Sequence, residues 1–195
     1  MPMTVKEFLE NLETGTVFII DDIDTVSSRN SVKTQLSHEC VSGRIERVLQ
    51  GVYYKPKHND NLGLDIPCDI DSVAHAIAKN NHWHIIPGGE QCLNLFGLST
   101  QVPAKYVYLS DGPYKTYDIN GVTVEFKHRS PKNYPDDDLT AMMIQALWAL
   151  GKDNCDDDVI EKLSDSIPDE KKPAIIENMG RPSAWIEDAL RRAFA

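Results

Sequence analysis

Nowhere does the sequence hold a run of about 18 consecutive apolar residues, the minimum for a membrane-spanning helix. The opening segment "MPMTVKEFLENLE" is charged and helical in pattern, where a signal peptide would carry an apolar core. These absences lead us to expect a cytoplasmic protein with no membrane partner. Cysteine is scarce and dispersed: Cys40, Cys68, Cys92 and Cys155 form neither a CxxC knuckle nor a dense disulfide framework, which leaves reduced, partly buried thiols as the expectation. In "HWH", His82 to His84, alternation along a strand would put both imidazoles on one face, but no third ligand lies nearby in sequence. We therefore expect neither a metal nor a cofactor.

Positive charge is also in deficit, since 20 Lys and Arg face 30 Asp and Glu for a net charge of −10. The deficit is uneven, and the unevenness is informative. Residues 1–26 carry one lysine against six acids, and residues 136–172 carry four lysines against eleven acids. Between them, residues 27–57 reverse the sign, with Arg29, Lys33, Arg44, Arg47, Lys55 and Lys57 against only Glu39 and Glu46. One patch of an acidic chain is suited to polyanions that the rest repels.

With 195 residues and 41% hydrophobic content, the chain has room for one large domain or two small ones, each with a packed core. Thr4 followed by Glu7 is a capping box, after which Val5, Phe8, Leu9 and Leu12 share a helical face, predicting a helix over 5–13 that stops near Gly15. "TVFII" reads as a strand, and "DDIDTV" as a one- to two-turn helix capped by Asp21 or Asp22. Ser27 or Ser28 caps the next helix, where Val32, Leu36 and Cys40 recur at four-residue spacing before Gly43 ends it. "RIERVLQ" and "VYYKP" flank Gly51 as a two-stranded ribbon, with one of Tyr53 and Tyr54 expected in the core and the other outside it. Helix, strand, short helix, capped helix and ribbon make the order of a winged helix-turn-helix, and the positive window falls on its recognition helix and wing.

"HNDNLGLDI", residues 58–66, reads as a polar linker. Beyond it we expect an amphipathic helix in "SVAHAIAKN", a strand in "HWHII", a turn and helix in "PGGEQCLNLFG", and three strands across "KYVYLSDGP" and "KTYDINGVTVEFKH". Asn120-Gly121 signals a type I′ hairpin between the last two strands. From Asp138 onward the period is helical through "LTAMMIQALWALG", "DDDVIEKLSD", "PDEKKPAIIENMG" and "PSAWIEDALRRAF". The expected fold class is α+β: a winged helix-turn-helix over 1–57, a linker over 58–66, and over 67–195 a mixed α/β domain with a helical C-terminal part.

The run "GLSTQVPAKYVYLSDGPYK", with "FKHRSPKN" after the hairpin and "IQALWALGKD" in the next helix, resembles the DUF6088 family, relatives of the AbiEi abortive-infection type IV antitoxins. "SRNSV", "SGRI" and "GVYYKP" resemble the winged helix of the same family. The resemblance spans nearly the whole chain. It implies a bacterial antitoxin that represses its own operon through the winged helix and counteracts a nucleotidyltransferase-like toxin, with no direct contact between the two implied. The partners it implies are operator DNA and that toxin.

On this reading Arg29, Asn30, Lys33 and Thr34 face the major groove, while Arg44, Arg47, Lys55 and Lys57 hold phosphates. A second basic set, Lys105, Lys115, Lys127, His128, Arg129 and Lys132, either extends the footprint, meets an acidic partner, or is simply solvated. The competing use is a protein-interaction scaffold with a degenerate winged helix that does not bind DNA, favoured by Glu39, Glu46 and the weakly basic "HECVSG". An enzyme is not expected. Asp22-x-Asp24 lacks the preceding Gly-Ser of a nucleotidyltransferase metal site, "PGGEQ" lacks the Lys and Ser/Thr of a phosphate loop, and "GLSTQVPAK" ends in Ala-Lys where a Walker motif has Gly-Lys.

Overall fold

Capping chemistry sets the first elements. In the computed structural model, which describes residues 2–129 and 135–194, Thr4 Oγ1 accepts from the Glu7 amide at 3.2 Å while the Glu7 carboxylate accepts from the Thr4 amide at 2.7 Å. That reciprocal box opens helix α1, Val5–Asn11, and the Thr4 amide holds the Glu7 carboxyl below its ordinary value. The fold is α+β, with eight α-helices and nine strands in three small sheets among the described residues. It divides into two compact units, Met1–Trp83 and His84–Ala195.

In the first unit, β1 (Val17–Ile19) leads into a single 3-10 turn, Ile20–Asp22, and then α2 (Arg29–Val41), capped by Ser28. Strands β2 (Glu46–Leu49) and β3 (Val52–Tyr54) complete an antiparallel sheet ordered β1-β3-β2, turning at Gly51, whose φ of 85° is one that side chains disfavour. The central strand β3 is buried on both faces. On one face Phe18 stacks on Tyr53 at 5.6 Å and joins Val5, Leu9, Val32, Leu36 and Ile45 in a core. Burying a side chain such as Leu36 completely stabilises by about 1.5–3 kcal/mol. On the other face lie Ile19 and Tyr54, where α3 (Ile70–Asn81) packs on β1 and β3.

That second covering layer corrects the expectation for the tyrosine pair. Tyr53 and Tyr54 are each only 2% exposed, because alternation sends them to opposite faces and both faces are covered. The Tyr54 hydroxyl donates to the Ile66 carbonyl at 2.7 Å. Residues 58–66, read from composition as a linker, largely form the antiparallel hairpin of β4 (Lys57–Asn59) and β5 (Leu64–Ile66). The boundary between the units falls after α3, between Trp83 and His84, so α3 lies with the N-terminal elements. His82 takes a left-handed conformation that ends α3, and β6 begins only at Ile85, so the two imidazoles of "HWH" do not share a strand face.

The second unit builds a mixed sheet from β6 (Ile85–Pro87), β7 (Tyr106–Ser110), β8 (Lys115–Ile119) and β9 (Val122–His128), ordered β6-β7-β9-β8. Among the described residues of this sheet, only β7 and β9 pair in parallel. Asn120 and Gly121, at φ of 53° and 82°, form the β8–β9 turn, as the dipeptide predicted. Helix α4 (Gly89–Leu95) lies against α5 (Asp138–Leu150), and α6 (Asp157–Asp165), α7 (Lys172–Asn178) and α8 (Ala184–Phe194) pack around a core that includes Met143, Leu147, Leu163, Ile175, Ile186 and Leu190. Among the described residues no helix is long and apolar enough to cross a membrane. None of the four cysteines forms a disulfide, and burial pushes the Cys92 thiol up to about 12, while the thiol donates to the Pro87 carbonyl at 3.3 Å.

Candidate nucleic-acid interface

Helix α2 presents most of its circumference to solvent. Its thirteen residues bury only Val32 and Leu36, and Cys40 extends the same stripe half-buried. Opposite that stripe Asn30, Thr34, Ser37 and Val41 recur at helical spacing, flanked by Lys33 and His38, and all six are exposed. Ser28 fixes the start, with its hydroxyl 3.3 Å from the Ser31 amide. The Thr34 hydroxyl donates to the Asn30 carbonyl at 3.1 Å, and Gln35 donates to the Ser31 hydroxyl at 3.1 Å, so small local bonds order the outer face.

The eight residues singled out for DNA do not all end on that face. Asn30, Lys33 and Thr34 do. Arg29, at the first turn of α2, pairs with Asp21 of the 3-10 turn. Arg44 folds back on Glu39, its guanidinium donating to the carboxylate at 2.7 Å. Arg47, on β2, lies over the Tyr53 ring at 5.7 Å with its charge half of a cation–π contact. Lys57 is exposed on β4. Among the described residues Lys33, Arg47 and Lys57 have no ion pair.

Lys55 has a different task. Its ammonium donates to the carbonyls of Leu9 and Leu12 at 2.6 Å each, satisfying acceptors at the C-terminal end of α1 and tying β3's end to that helix. Charge counting along the sequence cannot reveal this use, because the acceptors are backbone oxygens. Two polar residues that the sequence reading passed over, Ser37 and His38, belong to the outer face of α2. Their four-residue offsets from Lys33 and Thr34 were the available signal. Val26 and Val41, at 87% and 88% exposure, stand at either end of α2 as apolar flanks.

The second basic set is dispersed. Lys105 and Lys127 both approach Glu125, at 3.1 and 4.0 Å, on one face of the sheet. Lys115 lies over Tyr117 at 5.8 Å, and His128 bonds through Nδ1 to the Gly112 carbonyl at 2.8 Å. Arg129 donates to the Pro135 carbonyl at 3.1 Å and lines a pocket of about 230 Å³ shared with Asp111, Asp136 and Asp138, an acidic setting rather than a basic one. In the same pocket His84 Nε2 lies 3.0 Å from Asp138. Lys132 falls outside the described residues.

The carboxylates of "DDID" perform structural work. Asp22 accepts from the Ile19 amide at 2.8 Å and pairs with Lys79 of α3, and Asp21 holds Arg29. In "PGGEQ", a Cβ on Gly88 would stand 2.8 Å from the Val107 carbonyl, and one on Gly89 would stand 2.6 Å from the Ala149 Cβ. The glycine pair is there because α4 enters a gap too narrow for side chains.

A family model, DUF6088, described as a family of unknown function, matches residues 4–175. No curated protein matches the chain, and no solved structure does.

Proposed function

The chain belongs to the DUF6088 family, and from that premise we propose that its first unit is a winged helix that binds duplex DNA and represses its own operon, as the regulatory half of a cytoplasmic type IV antitoxin. The observation that carries the DNA reading is α2: a capped helix anchored by one narrow apolar stripe, with an outer face of Asn30, Lys33, Thr34, Ser37 and His38 left to solvent. Side chains of these types read base edges from the major groove. The order β1-β3-β2, with α2 preceding the β2–β3 ribbon, also supports the reading, although the short helix expected before α2 is reduced to the 3-10 turn Ile20–Asp22.

Phosphate contacts come from Lys33, Arg47 and Lys57. Arg29 joins by exchanging Asp21 for phosphate oxygens, an exchange of low cost because an ion pair exposed on both sides contributes only about 0–1 kcal/mol, whereas Arg44 stays on Glu39, whose side chain is only 13% exposed. Three or four such contacts give a salt slope of about −3 to −3.5 on duplex DNA. The test is fluorescence anisotropy of the protein on the DNA upstream of its own gene at two salt concentrations. Binding that is tight, salt-sensitive and sequence-preferring supports the reading, and no binding at low salt by folded protein overturns it.

The antitoxin half rests on the family's likeness to AbiEi relatives. The test is co-expression: a nucleotidyltransferase-like gene beside this one, expressed alone, should arrest growth, and co-expression with this chain should restore it. Continued arrest despite soluble protein removes this half of the proposal while leaving the DNA half standing. A protein-interaction use of the α2 face has its own support in the exposed Val26 and Val41 and in the internal pairing of Arg29 and Arg44.

A further inference from the structure

One cleft in the second unit is built from parts that the DNA reading of α2 does not use. It encloses about 350 Å³, within the range of about 300–1,000 Å³ typical of small-molecule sites. Its floor is apolar, formed by Val107 and Leu109 of β7. The Gly88–Gly89 pair brings α4 into contact with β7 and α5, and the Gln91 side chain accepts from the Val107 amide at 2.8 Å, which fixes that wall in place.

Three kinds of group stand around the floor. Trp148 lines one side at 65% exposure, although α5 buries Met143, Ile144, Ala146 and Leu147 on its packed side. An indole left this open is an unused stacking surface. Lys105 and Lys127 line another side, bracketed by Glu125, which touches Lys105 through both carboxylate oxygens at 3.1 Å but reaches Lys127 only at 4.0 Å. Lys127 is therefore the more available cation. Glu90 adds one carboxylate to the lining.

We propose that this cleft binds a nucleoside 5′-phosphate, with the base on Trp148, the phosphate on Lys127 and Lys105, and the sugar hydroxyls donating to Glu90. Stacking on an aromatic side chain tolerates any base and Lys binds phosphate as a point charge, so the site recognises a nucleotide without reading sequence. A carboxylate beside the two lysines favours a ligand that brings hydroxyl donors as well as an anion, which selects a nucleotide over inorganic phosphate. The same nucleotide is available free or at the end of a single strand. The proposal is independent of DNA binding by α2, since the cleft lies wholly within the second unit.

Isothermal titration calorimetry of the full chain distinguishes the sources. The probes are adenosine 5′-monophosphate, adenosine, inorganic phosphate and a 5′-phosphorylated tetra-adenylate. The expected result is saturable binding of the monophosphate, with adenosine and phosphate each at least about tenfold weaker. Trp148→Ala and Lys127→Ala, both at exposed positions that leave the fold intact by circular dichroism, each weaken binding at least about tenfold. Tetra-adenylate binding more tightly than the monophosphate, with the same dependence on both residues, identifies a strand end as the natural ligand. Heat from none of the probes at millimolar concentration, or binding unchanged in both variants, overturns the proposal.

Discussion

Helices α2 and α5 have the same length, thirteen residues, and opposite allocations of surface. Helix α5 buries Thr140, Ala141, Met143, Ile144, Ala146 and Leu147, whereas α2 buries Val32 and Leu36. Both are capped by side-chain oxygens, Asp137 for α5 and Ser28 for α2. Their difference therefore arises after helix formation, in what each face meets. A helix buried over half its girth holds a core together, while a helix held by a single stripe keeps its remaining face for a partner.

Substitutions sharpen this contrast. Leu147→Ala in α5 should lower the free energy of unfolding by about 2–5 kcal/mol, while Val41→Ala on α2 should change it by less than about 0.5 kcal/mol, both read from urea melts. Equal effects would dissolve the comparison. Lys33→Glu combined with Arg47→Glu should weaken DNA binding about 100-fold and flatten its salt dependence, with the unfolding midpoint unmoved. A loss of stability as large as the loss of affinity would place those residues in the scaffold.

Lys55→Met separates the two roles within the basic window. It should reduce stability by about 1–2 kcal/mol through the lost bonds to Leu9 and Leu12, and change DNA affinity of the folded protein by less than about threefold. Ser28→Ala and Asp137→Ala should each cost about 1 kcal/mol, since capping acts alike on an open and a buried helix. A smaller effect is titratable. The hydrogen bond to Asp71, partly opposed by burial, raises the His75 imidazole above its ordinary 6.5. A raised folded value means that the stability from His75 is fully present below about pH 6.5 and is lost as pH rises through the folded value. An NMR titration of the His75 ring with a midpoint at or below 6.5 would remove that contribution.

Local rules were legible in the sequence wherever a side chain acts on its own neighbourhood. The Thr4–Glu7 box, the Ser28 cap, the Asn120-Gly121 turn and the four C-terminal helices follow from residues three or four positions apart. Of the apolar set Trp185, Ile186, Ala189, Leu190 and Phe194 in the last helix, all but Trp185 are buried, and Trp185 packs partly buried against them. What depends on distant partners was not legible. Whether Tyr54 is core depends on α3 covering a second face of the sheet, and the use of Lys55 depends on carbonyls more than forty positions away, with |i−j| of 46 and 43. Arg29 and Arg44 counted toward a basic patch until folding placed Asp21 and Glu39 against them. Lys105, Lys127 and the glycine pair were each visible in the sequence, but the cleft they form with Trp148 was not, because these residues come from separate elements or loops.

The parallel pairing of β7 with β9 has a kinetic consequence. Strands β8 and β9 meet across a two-residue turn and close on the hairpin timescale of about 1–10 μs. Strand β7 must instead align Tyr106 with Val124 across the intervening hairpin, and β6 then aligns Ile85 with Ser110. Folding of this unit should thus begin at the hairpin and wait on β7, because nonlocal pairing is the slower event. During that wait the edge of β9 that carries Val124 and Phe126 has no strand beside it, and chains refolding at high concentration can pair there with one another.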